Sequence, residues 1–581
     1  MGQFSRRSFL TRTAATAAAV TGEALLGAPP AFAELPTPEA GNPLEEKLDG
    51  YVGAYMPAMN APGMTLALAD SSATVRAAGY GYADVALREP VTPAHLFQIG
   101  SITKSFVALV LLQLRDEGKL DLHKPVLDYL PWLPVTEPFG PITTHHLLTH
   151  TSGLPDNLSV FQSDPSARLA QGFTPGEHFH YCNSGFDILG ELATAFDGRL
   201  WRQCVQARIL TPLGMDATRG IISTASRARQ AIGYEPYWDD QVYARQGKLA
   251  QAPNMVMDDT AGCIASTPGD MALYLRMLLN RGQHAKGRIV SEESFTLFST
   301  PYIKSPELSP TADYGYGIAV DTLEGHKILR HTGGMVAFAS SIHVDLDGGV
   351  AAFASINAMQ GYRPTAITEY AVRLLRARKE AKPLPELPKI ADPTEVENAA
   401  DYAGTYTAAS GATLVFAASG KHLTLISGSA SVPLQHAGGD AFLSTVAGDF
   451  AGHAFVFGRN DAPKEASASA EKPAVVEVSY GPELYTHASY AGPKTFTPAA
   501  ELLPYAGHYR SDSPWGGSAR VFFLKGLLTL EGAPLTAIGD GLFRPGDEAW
   551  NPDTAEFLHV AGGKARLLKL GGMDFWRVEV D

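Results

Sequence analysis

The sequence predicts an α+β domain followed by two small antiparallel β-barrels, and three observations carry the prediction. Residues 43–379 alternate helix and strand signals. Residues 380–399 hold Pro383, Pro385, Pro388 and Pro393 among charges, the composition of a linker. Beyond it, Tyr402-Ala-Gly-Thr-Tyr406 recurs as Tyr505-Ala-Gly-His-Tyr509, each copy opening a series of short alternating strands. The expected divisions are therefore 44–378 for the mixed domain, 379–399 for the linker, 400–498 for the first barrel and 499–581 for the second.

Within the mixed domain, Ser105 to Glu117 is apolar on nearly every side (Phe106, Val107, Leu109 to Leu112, Leu114) and closes on Gly118, so it reads as a buried helix. Leu273–Leu279 and Ile367–Leu375 also read as helices, and Val350–Ile356 as a strand buried on both faces. Tyr314-Gly-Tyr316-Gly has the pattern of a strand with a tight turn, with an aromatic wall of a pocket as the alternative. In the barrel region Ala412–Phe416, His422–Ile426, Ala519–Leu524 and Phe575–Val580 alternate as half-buried strands do. Residues 460–473 are low in complexity and read as a loop within the first barrel.

Composition narrows the function classes. Of 581 residues, 18% are charged and 45% hydrophobic, with a formal net charge of −14. That balance suits a folded chain and argues against nucleic acid, whose phosphates demand surplus Lys and Arg. Three cysteines, Cys182, Cys204 and Cys263, are too few for a disulfide scaffold or a four-cysteine zinc site. Residues 1–33 read as a twin-arginine signal peptide: Ser5-Arg6-Arg7-Ser8-Phe9-Leu10 precedes an alanine-rich stretch ending in Ala31-Phe32-Ala33. The expected location is periplasmic or secreted, with no membrane insertion of the mature chain.

Three short motifs carry chemistry. Ser101-Ile-Thr-Lys104 precedes the buried helix, and residues three apart on a helix share a face. Burial in apolar surroundings favours a neutral amine, which can accept the serine proton. A second Ser-x-x-Lys, Ser469 to Lys472, lies in the low-complexity loop and is given no role. Tyr181-Cys-Asn183 offers a phenol able to relay a proton and an amide able to meet a substrate carbonyl. His331-Thr-Gly-Gly334 enters an apolar strand whose glycines permit close approach of a substrate backbone. His146, His150, His178 and His180 could suggest zinc, but position 147 is Leu where a zinc-protease helix requires Glu. No Gly-x-Ser-x-Gly elbow and no phosphate loop occurs.

The order Ser101, Tyr181, His331 resembles the serine β-lactamase and penicillin-recognising DD-peptidase superfamily, near class C β-lactamases, D-aminopeptidases and related esterases. The likeness extends to His150-Thr-Ser-Gly-Leu-Pro155, Pro212-Leu-Gly-Met215 and Ser266-Thr-Pro-x-Asp270-Met. D-aminopeptidases of this group are similar in joining such a domain to two lipocalin-like barrels, and the resemblance implies that a loop from a C-terminal barrel trims the active-site cleft. The resemblance implies an antiparallel sheet flanked by helices, plus a helical lobe. It makes Ser101 the nucleophile, Lys104 its proton acceptor and Tyr181 the shuttle to the leaving group. Asn183, His331, Thr332 and Gly333 would bind substrate, and the backbone N–H groups of Ser101 and Gly334 would form the oxyanion hole. No cofactor and no metal is implied.

One departure bears on substrate. Most β-lactamases of this kind carry Lys where this chain has His331, and a histidine of ordinary pKa is only about a quarter protonated at pH 7. The expectation is an exported serine hydrolase of small peptides or amides, D-aminopeptidase or DD-carboxypeptidase-like. A carboxylesterase or β-lactamase of the same superfamily is the alternative, and a non-turnover penicillin- or peptide-binding sensor is the alternative from another class. The partner is a small molecule or short peptide, and a homo-oligomer is left open.

Overall fold

The computed structural model describes residues 42–160, 168–237, 241–242, 247–359, 363–445, 450–460 and 473–579. The signal-like segment 1–33, the Ser469-to-Lys472 copy and nearly all of the low-complexity stretch lie outside the described residues.

The mixed domain is built on a nine-stranded antiparallel sheet. Its main strands are β1 (Gly63–Asp70), β2 (Thr74–Asp84), β3 (Ala319–Leu323), β4 (His326–Met335), β5 (Phe338–Asp345) and β6 (Val350–Ile356). They lie in the order β3-β4-β5-β6-β1-β2, so the first and last strands of the domain are neighbours. Two-residue strands complete the edges, Ile303–Lys304 and Asp313–Tyr314 beyond β3 and Glu89–Pro90 beyond β2. β6 is buried along its whole length, as its unbroken apolar run predicts.

The sheet separates two apolar layers. Helices α1 (Pro43–Ala58) and α5 (Thr365–Lys379) cover one face through Leu48, Tyr51, Val52, Ile367, Tyr370 and Leu374. The larger core on the other face takes in α2 (Thr103–Asp116), α3 (Asn183–Asp197) and α4 (Pro268–Leu279). Helix α2 starts two residues earlier than its apolar run suggests and is preceded by a 3-10 turn, Gly100–Ile102. Eleven of its fourteen residues are buried, among them the polar Thr103, Lys104 and Ser105. An all-round apolar helix belongs in a core, and Lys104 there is conspicuous.

Each C-terminal unit is a closed eight-stranded up-and-down barrel, spanning Gly404–Thr486 and Gly507–Val578. The repeated Tyr-Ala-Gly-x-Tyr has one structural purpose in both. The second tyrosine hydroxyl donates to the carbonyl of the first, Tyr406 to Tyr402 at 3.1 Å and Tyr509 to Tyr505 at 2.7 Å. This bond ties the entering 3-10 turn to the first strand. The interiors are filled by the barrels' own side chains, Tyr406, Phe416, Phe455 and Phe457 in one and Tyr509, Phe543, Phe557 and Phe575 in the other. Among the described residues no helix is long and apolar enough to cross a membrane.

Candidate active site

Ser101 sits half-buried in the 3-10 turn at the mouth of α2. The turn is fixed on both sides: Ile99 N–H donates to Ile264 O at 2.9 Å, and Ser340 Oγ on β5 donates to Ile99 O at 2.6 Å. One turn along, the fully buried Lys104 brings Nζ to 3.3 Å from Ser101 Oγ, 2.7 Å from Asn183 Oδ1 and 2.9 Å from Ala261 O. A carbonyl and an amide oxygen only accept, so two N–H bonds of Lys104 are committed to Asn183 and Ala261. In a neutral amine the remaining lone pair then faces Ser101 Oγ. In an ammonium the third N–H points there.

Tyr181 lays its ring 4.9 Å from Lys104 Nζ and packs on the His150 imidazole at 4.2 Å. Cys182 caps α3, its Sγ accepting from Gly185 N–H at 3.2 Å, which places Asn183 on the first turn. Burial pushes the Cys182 thiol up to about 12, so it is a structural cap rather than a nucleophile. Asn183 is engaged at both ends of its amide: Oδ1 accepts from Lys104, and Nδ2 donates to Asp156 Oδ1 at 3.1 Å. Its backbone N–H donates to the same Asp156 oxygen at 2.8 Å.

The third motif lies on β4 beside the serine turn. A Cβ on Gly100, whose φ is +56°, would come within 2.6 Å of Gly334 N, so the two backbone segments are in contact. His331, only 3% exposed, places Nε2 2.9 Å from the Tyr314 hydroxyl and Nδ1 2.6 Å from Thr332 O. Because the carbonyl only accepts, Nδ1 carries a proton, and in the neutral ring Nε2 accepts from Tyr314. The alternation of β4 sends His331 and Gly333 inward while Thr332 and Gly334 are half-exposed along the strand. The guanidinium of Arg363 lies against Gly334, since a Cβ there would meet Nη2 at 2.4 Å.

Two carboxyls stand near Lys104. Loss of hydration pushes Asp187 well above the ordinary carboxylate range, with Asp259 adding to the rise and Lys104 opposing it. Asp259 is likewise raised by loss of hydration and lowered by Lys104. Asp259 also accepts the Ala261 N–H, which shapes the turn that presents the Ala261 carbonyl to Lys104.

The remaining sequence phrases are clamps. His150 adopts φ +57° and accepts Cys182 N–H on Nδ1 at 3.0 Å, while Gly153, φ +79°, packs on the Phe173 carbonyl. Thr267 caps α4, and Asp270 accepts from Ala217 N, Thr218 N and Thr218 Oγ1, tying the loop after Pro212-Leu-Gly-Met215 to that helix. Thr143 caps the short helix Thr144–Leu148 and His146 accepts the Thr143 N–H in return, while His145 meets the Tyr316 hydroxyl at 2.9 Å. Among the described residues no group of three or more His, Cys, Asp or Glu side chains is arranged to hold a metal.

Residues 48–377 match the Beta-lactamase family model. The chain belongs to that family. Curated relatives include Penicillin-binding protein 4* of Bacillus subtilis, 26% identical over 284 residues, covering 45% of this chain and 60% of that protein. The Beta-lactamase of Escherichia coli is 30% identical over 206 residues, covering 34% of this chain and 51% of that protein. The chain thus spans 60% and 51% of these two relatives' lengths. Among solved structures, the octameric penicillin-binding protein homologue from Pyrococcus abyssi is similar at 25% identity with a TM-score of 0.52, covering 76% of this chain and 99% of that one.

Within this family member the structure gathers Ser101, Lys104, Tyr181 and Asn183 into one cluster, with Gly334 against the serine turn and His331 turned toward Tyr314. Sequence reasoning missed Asp156, Asp259 and the Ala261 carbonyl. Tyr314, read as part of a strand and turn with an aromatic wall of the pocket as the alternative, is the hydroxyl partner of His331.

Proposed function

We propose that the protein is a serine hydrolase that forms an acyl-enzyme on Ser101 and acts on small peptides or amides. The observation that carries the reading is the fully buried Lys104, with two N–H bonds held by Asn183 and Ala261 and its remaining direction on Ser101 Oγ. In the neutral amine that arrangement makes Lys104 the base for Ser101. The new bond joins Oγ to the substrate carbonyl carbon, and the proton passes to Nζ. Tyr181, packed on His150 with its ring 4.9 Å from Lys104 Nζ, is the group to return a proton to the leaving amine. The N–H groups of Ser101 and Gly334 face the developing oxyanion. Water then hydrolyses the ester, with the same groups running in reverse.

His331 supports peptides or esters over β-lactams in this reading, because both its ring nitrogens are turned to Tyr314 and Thr332 rather than to a substrate carboxylate. The filled interiors of the barrels weigh against a role as carriers of an apolar ligand. Export by the twin-arginine route belongs to the same proposal, supported by Arg6-Arg7 and the Ala31-Phe32-Ala33 terminus of the leader. So does self-association, for which the octameric Pyrococcus homologue is the precedent.

The test is turnover of p-nitroanilides of D- and L-residues, p-nitrophenyl esters and a chromogenic cephalosporin. Sustained release from an anilide supports the proposal. Ester-only turnover makes the protein an esterase, cephalosporin preference a β-lactamase, and a single burst a sensor.

A further inference from the structure

The second barrel reaches the cluster through one side chain. Asp553, 1% exposed, lies in the loop between its fifth and sixth strands, Leu542–Pro545 and Ala555–Ala561. Asp553 Oδ1 accepts the backbone N–H of Asp156 at 2.8 Å, across a separation of 397 residues. Asp553 Oδ2 lies 3.2 Å from His180 Nε2, and both side chains are buried. The loop is seated rather than draped. Trp550 stacks on His178 at 4.5 Å, and Gly172 lies so close that a Cβ would sit 2.7 Å from Pro552 Cα. A neighbouring turn of the same barrel adds a backbone bond from Leu158 N–H to Gly571 O at 3.1 Å.

Both branches end on the catalytic segment. Asp156, held by Asp553, accepts the N–H and Nδ2 of Asn183, whose Oδ1 accepts from Lys104. His180 directly precedes Tyr181, and its N–H donates to His150 O at 2.8 Å, while the His150 ring carries the Tyr181 ring. A carboxylate that accepts the Asp156 N–H and stands 3.2 Å from His180 Nε2 restricts where Asn183 and Tyr181 stand relative to Lys104. Buried carboxylate contacts of this kind fix orientation more than they add stability.

From these contacts we propose that Asp553 is a positioning residue for the active site, holding the segment that carries Tyr181 and Asn183 through Asp156 on one side and His180 on the other. The inference deepens the acyl-enzyme reading and, in its kinetic part, rests on it. Asp553→Ala removes both contacts, Asp553→Asn keeps an oxygen for the Asp156 N–H, and Trp550→Ala strips packing from the same loop and from the edge of the His180 ring while leaving the Asp553 carboxylate in place.

Two readouts test the proposal on the full chain. The first is amide hydrogen exchange, which needs no activity. Asp553→Ala should speed exchange at least tenfold in peptides covering 178–186 while leaving those of α4 unchanged. Asp553→Asn should lie between Ala and wild type, and Trp550→Ala should not reproduce the effect. The second is steady-state kinetics on a chromogenic substrate, where Asp553→Ala should lower kcat at least thirtyfold with KM within threefold, and Asp553→Asn should recover most of the loss. Unchanged exchange at 178–186, or an equal loss of kcat in Trp550→Ala, overturns the positioning role. If wild type fails to label at Ser101, the acyl-enzyme reading falls, and the exchange result alone decides whether Asp553 positions the segment.

Discussion

A methyl group on Gly333 would lie 1.8 Å from the carbonyl oxygen of Ile99, two residues ahead of Ser101. It would also lie 2.3 Å from Ser340 Oγ, the donor that holds that carbonyl. The glycine is therefore required for β4 to stand against the serine turn, and not only for access by a substrate. Gly333→Ala meets backbone first, because the nearest obstacle is the carbonyl of the anchored Ile99 turn, to which Ser340 on β5 is itself bonded. The variant should show a lower thermal midpoint, and fluorophosphonate labelling should slow by about tenfold or more as the turn shifts by fractions of an ångström. Wild-type labelling with an unchanged midpoint would contradict this placement.

Lys104→Met keeps the apolar stem of the side chain and removes the amine. Deleting a positioned base costs on the order of 10²–10⁴ in rate. The variant should fold, since a thioether suits a buried site better than an amine, and should lose acylation by about that factor in stopped-flow burst measurements. A loss below about tenfold would assign the base elsewhere.

Asp259 shapes the turn that brings the Ala261 carbonyl to Lys104 Nζ. Asp259→Asn keeps an oxygen for the Ala261 N–H, while Asp259→Ala removes it. The alanine variant should slow fluorophosphonate labelling of Ser101 by about tenfold as Nζ loses a firm anchor, and the asparagine variant should stay within about threefold of wild type. Equal rates in the two variants would show that Asp259 does not position Lys104.

Acid stability follows from buried histidines. Burial, helped by Arg330, depresses His343 to about 3, and burial depresses His145 and His453 to about 4. A histidine lowered in the folded state stays neutral while the unfolded chain takes up a proton. Stability is therefore intact above about 6.5 and declines as pH falls toward 4 and 3. Arg208 pulls Glu117 down to about 2, which adds a loss in the same direction below about 4.5. The urea midpoint should fall steadily between pH 6.5 and 4, and His343→Gln should flatten that slope by up to one proton. An unchanged slope would mean that His343 is hydrated or already charged.

The local parts of this molecule were legible because their causes are local. Ser101 and Lys104 share a face by helical spacing, β6 declares itself by seven apolar or small residues in a row, and the tyrosine repeat marks the start of each barrel. Asp156 and Asp259 carry no signal of their own, since their roles come from Asn183 and Lys104, which the fold delivers from other elements. Asp553 is the extreme case, a loop aspartate among many, given meaning only by the docking of a barrel 397 residues beyond Asp156. His331 was legible as a motif residue, but its orientation depended on Tyr314 from the short strand on the far side of β3.

The central claim is that Ser101 is the nucleophile and Lys104 draws its proton. Fluorophosphonate treatment followed by peptide mass spectrometry tests it most directly. One adduct per chain on Ser101, absent in Ser101→Ala and slowed in Lys104→Met, is the predicted result. No adduct on the folded wild type, or one that survives Ser101→Ala, would contradict it.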